Sequence, residues 1–282
     1  QNLIKRLVEK AHAEDKLAVV LTFFPHPDKV IRHVEGRYYL MTPDQRAELL
    51  IKMGVDCVVT HAFDDSIRMM RASDFVDELV QHLKINQLWV GSDFALGYKR
   101  EGNVAFLTEQ GKEKGFTVHA IDLIMNEDGS NVIRSSRIRE EVLQGNMDTV
   151  REWLGRGYAV VGDVVHGQKR GRLIGFPTAN VEVWAEQIIP ANGVYAGWAK
   201  LGDETFKAVT NVGVRPTFDG DSVTVEAHLL DFNRDIYDEQ LEVTFETRLR
   251  AEKKFNGIEE LIAQIQSDAE AAREYLDANP LT

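Results

Sequence analysis

The sequence predicts two domains, an α/β domain built on a doubly wound parallel sheet and then an antiparallel β-barrel with a C-terminal helix. Three observations lead to this prediction. The chain has 282 residues, about twice the length of a common single domain. In its first half, apolar strand patterns alternate with helix patterns, which is typical of a parallel sheet covered by helices. In its second half, strand patterns follow one another with turn residues between them.

The first half begins with a helix pattern from Leu3 to Ala11 and a strand pattern from Leu17 to Phe24. A helix then begins at Pro43, with Thr42 as its N-cap, and ends before Gly54. The elements that follow are a strand from Val55 to Thr60, a helix capped by Ser73, a strand from Leu88 to Gly91, a helix from Val104 to Lys114 and a strand from Phe116 to Ile121. Folds of this class normally begin with a strand, so we expect a first strand and its loop to precede residue 1.

The pattern changes around Gly145. We predict a first domain over 1–145, a connector over 146–157 with a short helix from Thr149 to Leu154, and a second domain over 158–282. Its elements are strands at 159–166, 193–201, 205–212, 223–231 and 240–247 and a last amphipathic helix from Ile258 to Leu276. Antiparallel strands joined by turns favour a closed or nearly closed barrel.

Composition narrows the class of protein. Apolar residues make up 44% of the chain and charged residues 28%, and no apolar run approaches the roughly 20 residues of a membrane span. The single cysteine, Cys57, cannot form a disulfide within the chain, which fits a reducing cytoplasm. It lies in an apolar run and is expected to be buried. The net charge is −12, which argues against a nucleic-acid partner. We therefore expect a cytoplasmic protein with neither a membrane nor a nucleic acid as partner.

Two basic islands stand out from this acidic background, and they suit a small anionic ligand such as a nucleotide. They are Lys169, Arg170 and Arg172, and Arg134, Arg137 and Arg139.

The first of these islands opens a motif with phosphate-binding character. Backbone N–H groups in a loop that contains Gly167, Arg172 and Gly175 can cradle phosphates, although no Walker A motif follows. Thr178 and Asn180 are two residues apart, so in an extended chain both side chains point the same way. Hydroxyl and amide oxygens are ligands that suit Mg²⁺. The alternative is that these residues are only turn chemistry that leads into a strand.

A second motif runs from Val223 to Leu230. Alternation places Thr224, Glu226, His228 and Leu230 on the face opposite the apolar residues. A carboxylate on such a face is a candidate general base, and this residue is Glu226. The alternatives are a solvated glutamate and, for His228, a hydrogen-bonded structural histidine.

Together these motifs resemble the riboflavin kinase module. The matching strings are Arg170–Asn180, Asn192–Ala196, Asn211–Phe218, Glu226–Phe232 and Arg250–Phe255. The resemblance implies a six-stranded barrel that transfers the γ-phosphoryl group of ATP to the ribityl 5′-hydroxyl of riboflavin. It also implies that Thr178 and Asn180 hold Mg²⁺ and ATP phosphates, that Glu226 deprotonates the hydroxyl and that the loop from Gly167 through Arg172 to Gly175 covers the nucleotide. Arg250, Glu252 and Phe255 would lie near the flavin.

Three motifs in the first half follow strands or open a helix. Pro25, His26 and Pro27 end the first strand pattern, and Asp93 lies in a glycine-containing loop after another. Ser135, Ser136 and Arg139 open a helix, whose N-terminus can bind phosphate. The alternatives are a strand-ending turn, a glycine loop and Ser136 as an ordinary N-cap.

In this order the three motifs resemble the FMN adenylyltransferase module of the bacterial bifunctional riboflavin kinase/FMN adenylyltransferases. The resemblance implies that FMN phosphate attacks the α-phosphorus of ATP to give FAD and pyrophosphate. His26 with Pro25 and Pro27 would lie by the substrates, Asp93 would help to bind them, and Ser135, Ser136 and Arg139 would face ATP phosphates. The family's His-x-Gly-His motif does not occur in the 282 residues. A molecule that begins at Gln1 is therefore expected to be impaired in adenylylation.

The resemblance thus implies small-molecule ligands, namely riboflavin, FMN, FAD and ATP, with Mg²⁺. Two alternatives remain open. One is a kinase alone, with the first domain kept as a scaffold. The other is a non-enzymatic flavin-binding module, which would not require Thr178, Asn180 and Glu226.

Overall fold

The computed structural model describes residues 1–122, 132–167, 170–217 and 220–281. The chain divides into two compact units. The first unit comprises Gln1–Glu35 and Thr42–Ile133, and the second comprises Gly36–Met41 and Arg134–Thr282. Lys169, which belongs to a predicted basic island, lies outside the described residues. Within those described ranges, no helix is long and apolar enough to cross a bilayer.

The first unit is an α/β unit with parallel strands, as predicted. Its helices are α1 (Asn2–Ala13), α2 (Pro27–Arg32), α3 (Pro43–Lys52), α4 (Asp65–Met69), α5 (Ala72–Glu78) and α6 (Val104–Lys114). Its strands are β1 (Val19–Phe24), β2 (Cys57–Ala62), β3 (Gln87–Gly91), β4 (Ala95–Leu96), β5 (Gly102–Asn103) and β6 (Thr117–Ile121). β1 pairs with β2 and β3 with β6, both in parallel, whereas the short strands β4 and β5 pair antiparallel.

Local sequence signals explain where several of these elements begin and end. α3 opens with a capping box, in which the Gln45 N–H donates to Thr42 Oγ1 and the Thr42 N–H donates to Gln45 Oε1. Gly54 follows α3 with a φ of 91°, a left-handed conformation that favours glycine. Val76 on α5 and Leu107 on α6 pack with Phe116 to form an apolar core.

Two predictions in this unit are wrong. α5 begins at Ala72, so Ser73 lies inside the helix, and the Ala72 N–H donates instead to Glu101 Oε1 at 2.8 Å. Cys57 is exposed. Val55 takes the buried position just before β2. Among the described strands β2 pairs with β1 alone, and most of its side chains are exposed.

The second unit is built around the predicted barrel. Two helices, α7 (Ser135–Gln144) and α8 (Met147–Leu154), precede the barrel strands. The short helix α9 (Arg170–Leu173) lies between the first and second strands, and α10 (Ile258–Ala278) follows the last strand. The strands are β7 (Tyr158–Val165), β8 (Ala179–Val183), β9 (Gly193–Leu201), β10 (Glu204–Thr217), β11 (Gly220–Leu229) and β12 (Gln240–Arg250). They form a closed barrel in the order β10-β11-β8-β7-β12-β9, with every pair antiparallel. The six-stranded barrel and its long final helix are confirmed.

Alternation along the strands separates the barrel interior from its outer face. Tyr158, Tyr195 and Phe245 point inward and are fully buried. Gly197 permits close contact between β9 and β12, since a Cβ there would lie 1.7 Å from the Thr244 carbonyl oxygen. On the outer face α10 packs its residues Ala272 and Leu276 against apolar residues of β9 and β10.

Residues 36–41, which we call the strap, lie in the second unit. Tyr39 forms an isolated parallel bridge with Gln187, and its ring packs on Trp184 at 5.0 Å. Arg37 donates to the carbonyl oxygens of Trp184 and Gln187. A segment from the first half of the sequence is therefore part of the barrel unit.

Candidate active site

A row of polar side chains crosses three strands on the outer face of the barrel. Asn180 on β8 is the direct partner of Glu226 on β11, and Glu226 is the direct partner of Asn211 on β10. Directly opposed residues in antiparallel strands have Cβ atoms about 4.5–5.5 Å apart. The structure therefore brings together two predicted residues, Asn180 and Glu226. Sequence reasoning did not assign Asn211 a role, because its place beside Glu226 depends on a strand register that alternation alone does not give.

The glycine loop packs against the two predicted phosphate and metal residues. A Cβ at Gly167 would lie 2.2 Å from Asn180 Nδ2, so only glycine leaves room for that side chain. A Cβ at Gly171 would lie 2.3 Å from the Phe176 carbonyl oxygen and 3.5 Å from Thr178 Oγ1. Gly175 adopts a left-handed φ of 86°. These close approaches explain why the loop is rich in glycine.

A cavity of about 430 Å³ opens beside this loop at one end of the barrel. Arg172 and Thr178 line one side of it, and residues 232–237 line the other. The rings of His166 and Tyr237 are 3.9 Å apart between centroids, and they join the end of β7 to this second wall. The cavity-lining residues Phe232 to Tyr237 were not predicted as site residues. The only sequence signal was that the matched string ended at Phe232.

Arg273 on α10 anchors the start of the 232–237 wall. Both of its terminal nitrogens donate to the Asp231 carboxylate, at 2.5 and 2.8 Å. The hydrogen bond from Arg273 lowers the pKa of Asp231 below its ordinary value. Asp231 also has a left-handed φ of 58°, which turns the chain from β11 into the cavity wall.

The predicted flavin residues lie close to the polar row. Arg250 makes a bidentate ion pair with Asp268, which is 5% exposed, and its guanidinium lies 5.8 Å from the centre of the Phe255 ring. A Cβ at Gly213 would lie 3.4 Å from Glu252 Oε1 and 3.5 Å from Asn211 Nδ2. Glu252 is therefore placed near Asn211, which is itself beside Glu226.

The donors at this face suit Mg²⁺ bound together with phosphate. Within the described ranges, no cluster of three or more His, Cys, Asp or Glu side chains could hold a metal ion. The hydroxyl of Thr178 and the amide oxygen of Asn180 are neutral oxygen ligands. Mg²⁺ commonly uses few protein ligands and completes its shell with water and substrate phosphate oxygens, so these residues fit that ion.

In the first unit, the predicted His26 follows the carboxyl end of β1 and is the N-cap of α2. The Asp28 N–H donates to His26 Nδ1 at 3.1 Å. Since Nδ1 accepts this bond, the hydrogen of the neutral ring is on Nε2. Pro25 and Pro27 flank the histidine and fix the backbone φ on both sides of it.

Asp93 lies in the turn that follows the carboxyl end of β3. The Phe94 N–H donates to the Gly91 carbonyl oxygen, and Arg100 Nη2 donates to the Asp93 carbonyl oxygen at 2.9 Å. His26 and Asp93 thus both follow parallel strands, at the end where α/β folds bind ligands.

Ser135, Ser136 and Arg139 lie at the start of α7 in the second unit. The N-cap of α7 is Arg134, so the alternative interpretation of Ser136 as the N-cap is wrong. Both serines are exposed on the first turn. The Arg139 guanidinium lies 4.0 Å from the centre of the Tyr38 ring, on the strap.

Comparisons with known proteins find one family match in each half of the chain. A family profile described as riboflavin kinase matches residues 154–276, and one described as FAD synthetase matches residues 1–137. The bifunctional riboflavin kinase/FMN adenylyltransferase of Listeria monocytogenes is 34% identical over 277 residues, which cover 98% of this chain and 87% of the relative. The protein of that name from Escherichia coli is 34% identical over 275 residues, which cover 97% of this chain and 87% of the relative.

A solved structure has a similar fold over nearly the whole chain. It is described as a macrolide-efflux protein from Streptococcus pneumoniae. It is 28% identical to this chain and superposes with a TM-score of 0.86, covering 96% of this chain and 88% of its own.

Proposed function

Because the chain belongs to the bifunctional riboflavin kinase/FMN adenylyltransferase family, we propose that it converts riboflavin to FMN and then FMN to FAD, using ATP in both steps. The observation that carries the kinase proposal is the direct pairing of Asn180 with Glu226 on the outer face of the barrel. It sets a carboxylate beside a neutral oxygen ligand, which is the arrangement that phosphoryl transfer to a hydroxyl requires. The proposed compartment is the cytoplasm.

In the kinase step, Glu226 accepts the proton of the riboflavin 5′-hydroxyl. The hydroxyl oxygen forms a bond to the γ-phosphorus of ATP, the bond from that phosphorus to the β–γ bridging oxygen breaks, and ADP leaves. Positioning and neutralisation of charge supply most of the catalysis in such reactions. The register that aligns Glu226 with Asn180 would hold the proton acceptor next to the phosphate being transferred.

ATP is proposed to lie with its nucleoside in the 430 Å³ cavity and its phosphates against the glycine loop. Arg172, which lines the cavity, offers a positive charge to the phosphates. Thr178 and Asn180 would hold Mg²⁺, which when bound neutralises phosphate charge. Gly167 and Gly175 give the loop backbone close access to the nucleotide.

Riboflavin is proposed to lie beside the polar row, near Arg250, Glu252 and Phe255. The bidentate pair with Asp268 fixes Arg250, and Arg250 in turn lies over the Phe255 ring. An aromatic ring and a fixed guanidinium provide stacking and hydrogen-bond donors for a flavin ring.

In the adenylylation step, an FMN phosphate oxygen bonds to the α-phosphorus of ATP. The bond to the α–β bridging oxygen breaks and pyrophosphate leaves, with no covalent enzyme intermediate. We propose that His26, held by Pro25 and Pro27, donates through Nε2–H, and that Asp93 orients the substrates. Ser135, Ser136 and Arg139 would contribute donors to ATP phosphates, because a helix N-terminus favours anions.

The test is a chromatographic time course of the chain with riboflavin, ATP and Mg²⁺, followed by a second with FMN and ATP. FMN followed by FAD supports the full proposal. FMN without FAD, in both incubations, would restrict the function to the kinase. If neither product forms while a folded protein binds riboflavin, the proposal is wrong and a flavin-binding role replaces it.

A further inference from the structure

We propose that His228 is a positioning residue for the kinase step, and that its ring fixes the Thr178 hydroxyl by holding the carbonyl group of Pro177. The inference rests on the proposed kinase function. Its basis is a hydrogen bond of 2.7 Å between His228 Nδ1 and the Pro177 carbonyl oxygen. His228 lies on β11 two residues beyond Glu226, so both side chains are on the same outer face.

The bond lies where backbone pairing ends. The register of β8 with β11 runs from Val181 to Ala179, and Ala179 pairs with Ala227. One step further along β8 comes Thr178 and then Pro177, and proline has no N–H to donate to a ladder. Beyond the end of the ladder, the side chain of His228 bonds the Pro177 carbonyl oxygen and so links this residue to β11.

As a result, Thr178 is held on both sides. Its C-terminal neighbour Ala179 is fixed by the strand ladder, and its N-terminal neighbour Pro177 is fixed by the imidazole. The ring also contacts Phe176 edge-on, with centroids 5.6 Å apart and an interplanar angle of 74°. The Phe176 N–H in turn donates to the Gly171 carbonyl oxygen, so the contact reaches the glycine loop.

The direction of the bond sets the tautomer of the ring. A carbonyl oxygen only accepts, so His228 Nδ1 carries the hydrogen. Substitutions of His228 can therefore be distinguished by whether they place an N–H donor at the position of Nδ1. Asparagine can place an N–H near the position of Nδ1, whereas glutamine places it one bond further out, and leucine has similar bulk but no donor.

The experiment compares His228→Leu, His228→Asn and His228→Gln with the wild-type chain. Riboflavin kinase rates are measured against Mg²⁺ and ATP concentration, and ADP binding is measured calorimetrically with and without Mg²⁺. We expect the Mg²⁺ concentration for half-maximal rate to rise about fivefold to tenfold for leucine and glutamine, the scale of one lost hydrogen bond. The Asn variant should stay within about twofold of wild type.

Binding without Mg²⁺ separates positioning from general damage. The Leu variant should bind Mg²⁺-free ADP as the wild type does and lose most of the gain that Mg²⁺ gives. Equal losses with and without Mg²⁺, or a Leu variant that matches the wild type in its Mg²⁺ requirement, would overturn the proposal.

A measurement on the wild-type protein keeps the proposal testable should a variant fail to fold. Long-range ¹⁵N–¹H correlation spectra report which imidazole nitrogen carries the hydrogen. We expect a protonated Nδ1 in His228, and an unprotonated Nδ1 would overturn the inference. A wild-type chain that forms no FMN would refute the proposed kinase function instead, whatever the tautomer.

Discussion

The two units hold their candidate residues in place by different means. In the barrel, Asn180 and Glu226 lie on paired strands, where backbone hydrogen bonds on both sides fix their spacing. In the first unit, His26 and Asp93 lie in turns after parallel strands, and local contacts such as the Asp28 N–H bond fix them. The barrel site therefore depends on strand register, and the first-unit candidates depend on turn chemistry.

The strands of the barrel are also more deeply buried than those of the first unit. All six residues of β1 are only half-buried, and β2 has four exposed residues out of six. In the barrel, every second residue of a strand such as β7 is fully buried. Substitutions in the barrel should therefore act through packing and register, whereas those in the first-unit turns should act more locally.

The largest expected effect comes from Glu226→Gln, which removes the proposed proton acceptor without changing shape. General-base groups contribute about 10²- to 10⁴-fold to rate, so we expect FMN formation to fall by roughly 10³-fold. The conversion of added FMN to FAD should be unchanged, since the change is confined to the barrel. Rates of both steps are followed by chromatography of the flavins.

Glu182→Gln is the matched control for this experiment. Glu182 lies on the same face of β8, two residues from Asn180, and is exposed. It should leave both rates as they are. A parallel loss of both activities in the Glu226 variant would break the comparison, because it would mean that one site serves both steps.

A smaller loss of kinase activity is expected for Gly167→Ala, which tests whether the barrel site tolerates a change in its packing. The added methyl group would lie 2.2 Å from Asn180 Nδ2 and would displace that side chain. We expect the kinase kcat/KM for ATP to fall about 30-fold, within the range for misplaced catalytic geometry. Kinetics at varied ATP concentration measure it.

Gly257→Ala controls for this change, because a Cβ at Gly257 meets nothing within 4 Å and its φ of −167° suits any residue. Should the Gly167 variant keep full activity, the close packing of the loop on Asn180 would have no part in the reaction.

The residues around Glu226 also show how far the sequence could predict the site. Alternation placed Glu226 and His228 together on the face opposite the apolar residues of the strand, and the structure has them there, because the strand is buried on one side only. It could not predict that Glu226 faces Asn180 and Asn211, since register depends on which strands meet.

Elsewhere, features held by interactions between neighbours in sequence could be predicted, whereas features held by residues far apart in sequence could not. Thr42 was predicted as the N-cap of a helix that begins at Pro43, and this was possible because the capping bonds span only three residues. The strap could not be predicted, since Tyr39 and Gln187 are far apart in sequence and form a single isolated bridge. Cys57 was predicted to be buried from its apolar neighbours, but its exposure depends on what packs against its face of β2, which neighbours in sequence do not reveal.

A moderate effect is expected for Tyr237→Ala, which opens the cavity wall opposite the glycine loop. Tyr237 contacts His166 and lines the proposed nucleoside cavity. Loss of one aromatic contact should raise the KM for ATP about tenfold, with kcat and the KM for riboflavin little changed. A rise in the KM for riboflavin instead would place the flavin, and not the nucleotide, in that cavity.

The smallest effect is a difference between the units in how stability responds to pH. In the first unit, Asp56 accepts hydrogen bonds from the Ala18 N–H and from His12, and these lower its pKa below the ordinary 3.8. At acid pH, Asp56 in the folded protein therefore binds fewer protons than Asp56 in the unfolded protein. The contribution of Asp56 to the stability of the folded protein is complete above pH 3.8 and is lost as the pH falls through the lowered pKa.

Glu246 in the barrel unit should behave in the opposite way. It is 6% exposed, and burial raises its pKa above the ordinary 4.5. The folded form then holds the proton over a window above pH 4.5 in which the unfolded form has released it. Stability from this group therefore falls as the pH rises through that window.

Thermal unfolding measured across pH can compare Asp56→Asn and Glu246→Gln directly. Asp56→Asn should destabilise the protein at neutral pH, and the difference from wild type should shrink below pH 3.8. Glu246→Gln should remove a loss of stability that wild type shows above pH 4.5. Asp203→Asn, in the exposed turn between β9 and β10, is the control. Two variants with the same sign of pH dependence would mean that burial in the barrel does not set the protonation of Glu246.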